Sequence, residues 1–324
     1  MTKKIRSLKF LHLVDHDGAI FDLISQLSIF RDHKILTSFS KPFKNIMKQI
    51  DKISSINKEI IVIIHATGSP KRFYKNKEKI IKKFKKGFLF LHVSPKHFLI
   101  KNRLKELVYI KKLSKKYNTK ILIPSKSLKK KFLSYGIGSI PIQVGLDFKI
   151  DKKGDSKKYN NEIITVCTSK DKKYQYIKGI DLFTKLIKRL GIENKSIILG
   201  DKLDNFDKIK NRKVSKKYFL KHLNNSKVYI QLSRTESYNS SAIYAKRMRV
   251  PVIVSDIEGH KNNVKNGFRV SNIKEAEKIL KKILRNSNAP FIKEIIKKNY
   301  EDSIKRESLR NFRNSLNNLL NQKI

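Results

Sequence analysis

The chain contains no tryptophan, only one cysteine, and few prolines and glycines. Cys167 has no second cysteine to pair with, so an internal disulfide framework is excluded and a reducing compartment is indicated. No apolar run approaches the roughly 18–20 residues that a membrane-crossing helix needs. The amino-terminal apolar run is short and leads into a polar loop, unlike a secretory signal. We therefore expect a cytoplasmic protein, either soluble or peripheral on the inner face of the membrane.

The sequence signatures of metal sites and of nucleic-acid recognition are also lacking. No cluster of cysteine and histidine has zinc-ligand spacing, and no His-Glu-x-x-His pattern occurs. Zinc-finger spacing and the aromatic and glycine pattern of RNA-binding sheets are missing as well. We expect no metal and no other cofactor, and we do not expect nucleic acid to be the partner.

Acidic residues are scarce relative to basic ones. The chain has 27 aspartates and glutamates against 75 lysines and arginines, a formal net charge of +48. A strongly basic surface attracts anionic membranes, phosphorylated substrates or nucleic acid. A second explanation is AT-rich codon usage, which produces abundant lysine, isoleucine and asparagine with little glycine and proline. The composition leaves both explanations open.

Short apolar runs alternate with longer amphipathic stretches along the 324 residues. Runs rich in isoleucine and valine are typical of parallel strands that are covered on both faces. In the first half, we predict strands at residues 7–14, 59–66, 87–93 and 120–124, and helices at 20–30, 71–85, 102–117 and 125–134. This alternation predicts an α/β protein with doubly wound sheets.

The polar stretch 145–161 indicates a linker between two domains. The alternation then resumes, with predicted strands at residues 162–168, 195–200, 227–233 and 250–256. The predicted helices of this half are residues 177–190, 215–224, 240–247 and 272–286, and from about 303 to the end. We predict domains at residues 1–148 and 149–300, each long enough to bury its own core.

Polar residues follow the predicted strands of the first domain. Asp17 and Gly18 follow the first strand, His65 ends a middle one, and His92 ends the next. Ligands of open parallel sheets bind beyond the carboxyl ends of the strands. These loops therefore hold candidate ligand-binding residues. A histidine at a strand end is also often an ordinary hydrogen-bonding residue, and this alternative stays open.

The segment after the predicted strand at 227–233 also contains polar residues that are candidates for ligand binding. Glu236 stands near the strand end, and Asn239, Ser240 and Ser241 stand where a helix begins. The free N–H groups of a helix amino terminus favour a phosphate. Ordinary capping of the helix by asparagine or serine explains the same residues without a ligand.

Several motifs of the second half occur in a defined order. Glu236 completes a Ser-x-x-Glu pattern, and a helix, a Pro-Val-Ile strand and a glycine-containing loop at 258–260 follow it. Upstream, Lys178 begins a Lys-Gly-x-Asp pattern. Together these motifs resemble glycosyltransferase family 4, the retaining sugar transferases. The resemblance extends over nearly the whole chain, because residues 123–148 are similar to the segment that closes the first domain of that family.

The resemblance implies the GT-B fold, with two facing Rossmann-like domains, parallel sheets and an interdomain cleft. It also implies a carboxyl-terminal helix, about residues 301–324, that packs back on the first domain. The second domain would bind a nucleotide-sugar, and the first would bind the acceptor, with Asp17 and His65 as acceptor-side candidates. The implied activity is transfer of the sugar to a lipid-linked, polysaccharide or protein acceptor in cell-surface glycan synthesis.

The resemblance also assigns roles to individual residues. Glu236 and His92 would act on the sugar as the catalytic pair. The donor would be bound by Gly18, Lys170, Lys178, Asn239, Ser240, Ser241 and Tyr244. Positive charge on the two lysines would stabilise the departing diphosphate. The chain departs from the family at Tyr244, where a second glutamate that binds the ribose hydroxyls of the nucleotide is usual, and in the polar turn after Glu236.

The departure at Tyr244 favours one alternative, a catalytically silent partner subunit that has the same fold and recognises the acceptor. A second alternative, a polyanion-binding protein, is motivated by net charge alone. The basic segment 71–88 adds a further question, since Phe73, Ile80, Ile81 and Phe84 share one stripe. We expect this stripe to pack on the sheet, and we expect the flanking lysines to be attracted to an anionic membrane.

Overall fold

The computed structural model describes residues 5–15, 19–39, 42–66, 72–116, 119–147, 163–203 and 208–321. These residues fall into two compact units. The first lies within Met1–Asp147 and Ser308–Ile324, and the second lies within Phe148–Glu307. Each unit contains one six-stranded sheet in which every neighbouring pair of strands is parallel. The predicted α/β class with parallel sheets is therefore confirmed.

The sheet of the first unit has the strand order β2-β1-β3-β4-β5-β6. Its strands are β1 (Phe10–Val14), β2 (His33–Thr37), β3 (Ile61–Ala66), β4 (Lys86–Leu91), β5 (Lys120–Ile123) and β6 (Ser139–Pro141). The apolar residues of β1, β3 and β5 are fully buried, as expected for strands covered by helices on both faces. The order reverses between β1 and β3, which places the switch point of this sheet there.

Helices connect these strands and cover the sheet. They are α1 (Ala19–Ser25), α2 (Phe43–Ile56), α3 (Arg72–Lys75), α4 (Lys77–Ile81), α5 (Pro95–Ile100), α6 (Leu104–Lys116) and α7 (Lys126–Leu133), with a 3-10 turn at Gln26–Ile29. The apolar stripe of segment 71–88 lies in the core, since Phe73 and Ile80 are fully buried and Ile81 and Phe84 nearly so. The expectation that this stripe packs on the sheet is confirmed.

The sheet of the second unit has the order β12-β11-β10-β7-β8-β9. Its strands are β7 (Ile163–Cys167), β8 (Ser196–Gly200), β9 (Lys210–Lys213), β10 (Val228–Gln231), β11 (Val252–Ser255) and β12 (Phe268–Val270). Counted along the chain, this is the doubly wound order 3-2-1-4-5-6, and its switch point lies between β7 and β10.

The helices of the second unit are α8 (Lys172–Lys178), α9 (Ile180–Leu190), α10 (Lys216–Asn224), α11 (Ser240–Arg247), α12 (Glu258–Asn263), α13 (Ile273–Arg285) and α14 (Pro290–Arg306), with a 3-10 turn at Glu193–Lys195. The core beneath them combines strand residues such as Ile163, Ile230 and Ile253 with Phe183 and Leu186 of α9. The last helix of the described chain, α15 (Leu309–Asn317), belongs to the first unit.

Contacts with the first unit hold α15 in place. Arg313 donates to both carboxylate oxygens of Asp32, each at 3.2 Å. The backbone N–H of Gln143 donates to Ser315 Oγ at 2.9 Å. Phe312 is fully buried. The carboxyl-terminal residues therefore complete a unit that is otherwise built from the first half of the chain.

Several predicted boundaries are wrong. The helix predicted at 177–190 is two helices that meet at Gly179, whose φ of +68° ends α8. The helix predicted from about 303 is α14, which begins at Pro290, followed by α15. The helix predicted at 71–85 is interrupted at Asn76. Strands β2, β6, β9 and β12 were not predicted, because their short or charged sequences lack the apolar run of a central strand.

Candidate functional site

The candidate site of the second unit lies at the switch point between β7 and β10. After β7, the chain runs through Lys170 into α8, which ends at Lys178. After β10, it runs through residues 232–239, which include Glu236, into α11. Because the two strands are parallel neighbours, both connections leave the sheet at the same edge. The fold therefore brings together two segments that are far apart in the sequence.

Gly179 allows α8 to end directly against the β10 connection. Its backbone is left-handed, with φ +68° and ψ +34°, and its N–H bonds back to the last turn of α8. A Cβ atom at this position would overlap the carbonyl group of Leu232. Glycine is thus required for two reasons, the backbone conformation and the close approach. This approach places Lys178 beside the segment that carries Glu236.

A second glycine sets the other side of the site. Gly259, in the first turn of α12, lies against the backbone of Glu236, and a Cβ atom there would overlap the Glu236 carbonyl group. The hydroxyl of Ser255, at the end of β11, donates to the carbonyl oxygen of Ser233. The loop after β10 is therefore held between α8 on one side and α12 on the other.

Lys178 and Glu236 form an ion pair in this position. Lys178 Nζ donates to Glu236 Oε2, and the side chains are 19% and 10% exposed. Burial alone lowers the pKa of Lys178, but the charge of Glu236 and the hydrogen bond to it outweigh this effect and raise the pKa above its ordinary value. Lys178 is therefore a permanent cation that remains partly accessible at the edge of the sheet.

Buried polar side chains of β10 and of the start of α11 lie next to this pair. Gln231, in β10, donates through Nε2 to the carbonyl oxygen of Lys178 at 2.7 Å. The hydroxyl of Tyr229 lies 3.1 Å from Gln231 Oε1 and 3.2 Å from Asn239 Oδ1, and its one proton is available to either of these acceptors. Ser241, half-buried in the first turn of α11, lies close to this hydroxyl, and burial raises the pKa of Tyr229. These contacts tie the end of α8 to the start of α11 through β10.

Asn239 and His260 connect the start of α11 to α12. Asn239 Oδ1 accepts from the Ala242 N–H at 3.0 Å, which is ordinary capping of the helix. Asn239 Nδ2 lies 3.2 Å from His260 Nε2, while His260 Nδ1 lies 2.9 Å from the Ser255 carbonyl oxygen. These partners require His260 to donate from Nδ1 and accept at Nε2. The ring is fully buried, and burial lowers its pKa.

The remaining donor-side candidates lie at different depths. Lys170 is exposed in the turn between β7 and α8. Ser240 is the first residue of α11 and is half-buried. Tyr244 is 7% exposed, and its ring packs edge-on against Phe219 of α10 at 6.1 Å between centroids. The aromatic side chain therefore occupies packed space between α10 and α11.

In the first unit, His65 and His92 lie next to each other. His65 Nδ1 is 2.8 Å from His92 Nε2. His65 is 1% exposed, whereas His92, just beyond β4, is half-buried. Asp17 and Gly18, which the sequence also suggested, lie outside the described residues. His65 is thus a buried residue near the carboxyl end of β3, and His92 is the more accessible of the two.

Sequence reasoning missed Tyr229, Gln231 and His260 in the second unit, and His12 and His33 in the first. Polar residues inside otherwise apolar strands were the available signal. Tyr229 and Gln231 alternate with apolar residues in β10, and His12 lies in the middle of β1. Within the described residues, no group of three or more histidines, cysteines or carboxylates is arranged to hold a metal ion. The helices that the structure describes include none long and apolar enough to span a bilayer.

Known structures resemble the chain over nearly its whole length. Sucrose-phosphate synthase from Thermosynechococcus elongatus superposes with a TM-score of 0.70 at 11% identity, covering 97% of this chain and 98% of that one. HepE from Anabaena, solved in complex with UDP and glucose, superposes with a TM-score of 0.67 at 12% identity, covering 97% of this chain and 99% of that one. A glycosyltransferase from Rickettsia africae superposes with a TM-score of 0.63 at 16% identity, covering 98% of this chain and 93% of that one. The chain has the GT-B fold. At these identities, the likeness establishes the fold alone. No protein-family model matches the sequence, and no curated protein matches it.

In this GT-B chain, the switch point of the second sheet carries the Lys178–Glu236 pair, and the carboxyl edge of the first sheet carries His92. Both positions are where open parallel sheets bind ligands. The pair offers a cation for an anionic group and a carboxylate for an electron-poor or hydroxyl-bearing group.

Proposed function

We propose that the protein is a retaining glycosyltransferase that moves a sugar from a nucleotide-sugar to an acceptor. The observation that carries this proposal is the Lys178–Glu236 pair at the switch point of the second sheet. In this reaction, the bond between the anomeric carbon and the diphosphate breaks and a bond to the acceptor oxygen forms. A fixed cation stabilises the negative charge that develops on the leaving diphosphate.

The ion pair supplies both charges that this reaction needs. Lys178 is held in its charged form by Glu236, so it is ready to contact a diphosphate. When the diphosphate takes over as the partner of Lys178, the carboxylate of Glu236 is released toward the sugar. Glu236 then orients the sugar or supports the positive charge at its anomeric carbon. The N–H groups at the start of α11, with Ser240 beside them, add a second favourable position for phosphate.

We further propose that the nucleotide is UDP. The structure of HepE, which shares the fold, contains UDP and glucose. Lys170 adds positive charge in the turn after β7, at the carboxyl edge of the second sheet, whereas Lys178 stands at the other end of α8. The ammonium group of Lys170 is a point charge and lacks the two-pronged geometry of an arginine. We therefore expect Lys170 to contribute less than Lys178.

The acceptor is proposed to be lipid-linked or otherwise anionic, in cell-surface glycan synthesis at the inner face of the membrane. Leu104 and Val108 are 50% and 47% exposed, one turn apart on α6. Exposed Lys105 and Lys112 lie on the same helix. When a protein binds to a membrane surface, apolar side chains enter the lipid interface and neighbouring lysines contact the anionic headgroups. Helix α6 presents both kinds of side chain.

A donor screen tests the activity. The protein is incubated with a panel of UDP-sugars, and released UDP is measured for each. We expect release from one donor, and a loss of about 100- to 1,000-fold in Lys178→Ala and Glu236→Gln, because each removes a charge aligned with the transition state. Lys172→Ala, an exposed lysine on the same helix, is the matched control and should retain the rate. Full activity in both site variants would refute the site assignment.

Vesicle sedimentation tests the membrane proposal separately. The protein should sediment with vesicles that contain anionic lipid and should stay in solution with neutral vesicles. The double variant Leu104→Glu/Val108→Glu should sediment with anionic vesicles less than the unmodified chain does. Ile304→Glu, at a similarly exposed apolar residue of the second unit, is the control. Equal retention of the control and the double variant would argue against α6 as the contact.

The second candidate function is a catalytically silent partner that recognises the acceptor. The buried position of Tyr244 favours it, since an aromatic ring packed on Phe219 provides no carboxylate for the hydroxyls of a ribose. Titration calorimetry with UDP separates the two proposals. The enzyme binds UDP and loses affinity in Lys178→Ala, whereas the silent partner binds no nucleoside diphosphate.

A further inference from the structure

A groove lies on the surface of the second unit between α8 and α9. Its volume is about 630 Å³, which is within the size range of small-ligand sites. Gln175 and Tyr176 of α8 line one part of it, and Ile180, Asp181 and Thr184 of α9 line another, together with basic residues of the second half of α9. We call this feature the α8–α9 groove.

Part of the lining of the α8–α9 groove is apolar and aromatic. Ile180 is almost completely buried, whereas Tyr176 is 50% exposed. The guanidinium of Arg234 stacks on one face of the Tyr176 ring, 3.7 Å from its centroid. Arg234 Nη1 also donates to the Tyr176 carbonyl oxygen at 2.7 Å. The ring is therefore held in place before a ligand binds, which lowers the entropy cost of binding.

The one carboxylate that lines the described groove is neutralised by the protein itself. Asp181 Oδ1 accepts from Arg234 Nη1 at 2.7 Å, and Asp181 Oδ2 accepts from Nη2 at 2.5 Å, in a two-pronged ion pair. Burial alone raises the pKa of Asp181, but the hydrogen bond and the charge of Arg234 outweigh burial and lower the pKa. The pair therefore carries no net charge at neutral pH, and Asp181 does not oppose an anion in the groove.

Lys185 and Lys188 give the groove an excess of positive charge. Both lysines are exposed, and because they are three residues apart on α9 they lie on the same face of the helix. Neither ammonium makes an ion pair or a hydrogen bond with a residue that the structure describes. A further cation of the lining, Arg189, is paired with Glu277 at 3.0 Å. The two lysines are thus available to an anionic ligand.

A second groove, in the first unit, lacks this combination although lysines line it too. Its volume is about 470 Å³, and its lining includes Lys83, Phe84 and Lys85. Lys83 pairs with Asp51 at 2.6 Å, and Lys85 pairs with Glu59. Phe84 is nearly buried. Because these lysines have carboxylate partners and the aromatic ring is covered, the second groove serves as an internal comparison.

We propose that the α8–α9 groove binds a short stretch of an anionic glycan, with a sugar ring against Tyr176 and a phosphate or carboxylate near Lys185 and Lys188. The C–H groups on the face of a sugar ring pack favourably on the electron-rich face of an aromatic ring. Lysine ammonium groups attract either anion as compact point charges. Thr184 Oγ1, which makes no hydrogen bond with the described residues, lies at the groove as a polar partner for a sugar hydroxyl.

Other partners fit the groove less well. Single-stranded nucleic acid stacks successive bases on several aromatic rings, and the described lining provides only Tyr176. A bilayer surface is flat, whereas the groove is concave. A second copy of this chain carries the same formal net charge of +48, so like charges would meet. An anionic glycan is the ligand class that uses the ring, the lysines and the concave shape together.

This inference goes beyond the proposed sugar transfer and does not rest on it. Tyr176 precedes Lys178 by two residues in α8, so the groove and the candidate site share a helix. If the transfer holds, the groove is an additional contact for an anionic acceptor on the second unit. The probes used below contain no nucleotide, so binding in the groove and release of UDP in the donor screen can fail independently.

Titration calorimetry with the full chain tests the proposal. The probes are tetragalacturonate, which carries carboxylates, a phosphorylated maltotetraose, and neutral maltotetraose. We expect at least one anionic probe to bind and neutral maltotetraose not to bind. The tighter anionic probe identifies the anionic group. In Lys185→Ala/Lys188→Ala, the affinity for that probe should fall about tenfold or more at low salt. If neither anionic probe binds, the proposal is wrong.

Matched variants separate this site from general attraction to a basic protein. Lys83→Ala/Lys85→Ala removes the same charge at the second groove and should keep the affinity within about twofold. Tyr176→Leu should weaken binding of the anionic sugar about 3- to 10-fold. It should leave binding of tripolyphosphate, which has no sugar ring, unchanged. Tyr218→Leu, at a similarly exposed tyrosine of α10, is the control for the aromatic ring.

Two further results would overturn the proposal. Equal losses of affinity in the two double lysine variants would show that net charge alone attracts the probes. A single-stranded oligonucleotide that binds more tightly than the anionic sugars, with the same dependence on Lys185 and Lys188, would assign the groove to nucleic acid. The unfolding midpoint of each variant confirms that it is folded, because the substituted side chains of α8 and α9 are exposed.

Discussion

Gly179 packs directly against the carbonyl group of Leu232, with no room between them for a Cβ atom. This contact joins the end of α8 to the loop after β10, and it is the reason that Lys178 and Glu236 meet. A side chain at Gly179 would force the two segments apart. The ion pair of the candidate site therefore depends on a backbone contact between residues that are distant in the sequence.

The first prediction concerns Gly179→Ala. The left-handed backbone costs an L-residue about 1–2 kcal/mol, and the overlap with Leu232 adds to it. We expect a loss of stability above 2 kcal/mol by denaturant unfolding, together with weaker UDP binding because Lys178 is displaced. Gly191→Ala is the matched control, since Gly191 has φ +63° at the end of α9 and open space around its Cβ position. If the two variants lose equal stability, the contact with Leu232 is not important.

The second prediction concerns the coupling between Lys178 and Glu236. The pair is largely shielded from solvent, so removing one partner leaves the other charge poorly compensated. In a double-mutant cycle with Lys178→Met and Glu236→Gln, we expect a coupling free energy of about 1–3 kcal/mol. Lys298 and Glu294, an exposed pair of the same unit, should give a value below about 1 kcal/mol. Similar values for the two pairs would contradict the shielded position of Lys178.

The third prediction concerns a buried charge cluster beneath α11. Lys246 is fully buried, with Nζ 2.9 Å from Glu307 Oε2 and 3.5 Å from Asp302 Oδ2. Lys246→Met leaves the buried Glu307 carboxyl without its cation, and we expect a loss of about 3–5 kcal/mol in the free energy of unfolding. Adding Glu307→Leu should recover part of this loss, because the unpaired acid is removed.

Lys298, whose exposed ammonium pairs with Glu294 one turn away on α14, is the control for Lys246. Lys298→Met should change stability by less than about 0.5 kcal/mol, since exposed pairs contribute little. Guanidinium unfolding of the three variants provides the measurement. A loss below 1 kcal/mol in Lys246→Met would show that water reaches the cluster.

The fourth prediction concerns acid. The buried rings of His12, His33 and His65 are neutral in the folded state, and their lowered pKa values mean that the unfolded chain binds protons first as the pH falls. The free energy of unfolding of the first unit should therefore be highest above pH 6.5, as far as these histidines affect it. It should fall as the pH drops toward 4. His33 alone, with a folded pKa of about 4, contributes a loss of about 2 kcal/mol at pH 5.

Hydrogen exchange of the β1 and β3 amides, corrected for the intrinsic pH dependence of exchange, measures this loss. His33→Phe should reduce the slope of stability with pH between 6.5 and 4 by about one bound proton. Unchanged protection of these amides from pH 7 to pH 5 would show that the rings are protonated without cost.

The alternation of apolar runs and amphipathic stretches was sufficient to predict two parallel α/β sheets. Strands such as β3 and β7 are recognisable because they are continuously apolar, which burial on both faces demands. Edge strands such as β9, with the sequence Lys-Asn-Arg-Lys, carry no such signal. Their position is decided by pairing with a neighbouring strand, and local sequence does not encode it.

The residues of the candidate site also divide into those that the sequence predicted and those that it did not. Glu236 and Lys178 were predicted from a family resemblance, and Asn239 was expected at the start of a helix because of its capping chemistry. The support from Tyr229, Gln231 and His260 could not be predicted, because each contact joins residues from different strands and helices.

The sequence by itself determined the chemical groups and the periodicity of this protein: which apolar segments form the central strands, and which charges are present. The tertiary structure alone decided which of these groups meet. Strand order brings Lys178 to Glu236 across the switch point, and strand register brings His33, His12, His65 and His92 into one row. The physical reason is that order and register are set by long-range pairing and packing, which no local stretch of sequence specifies.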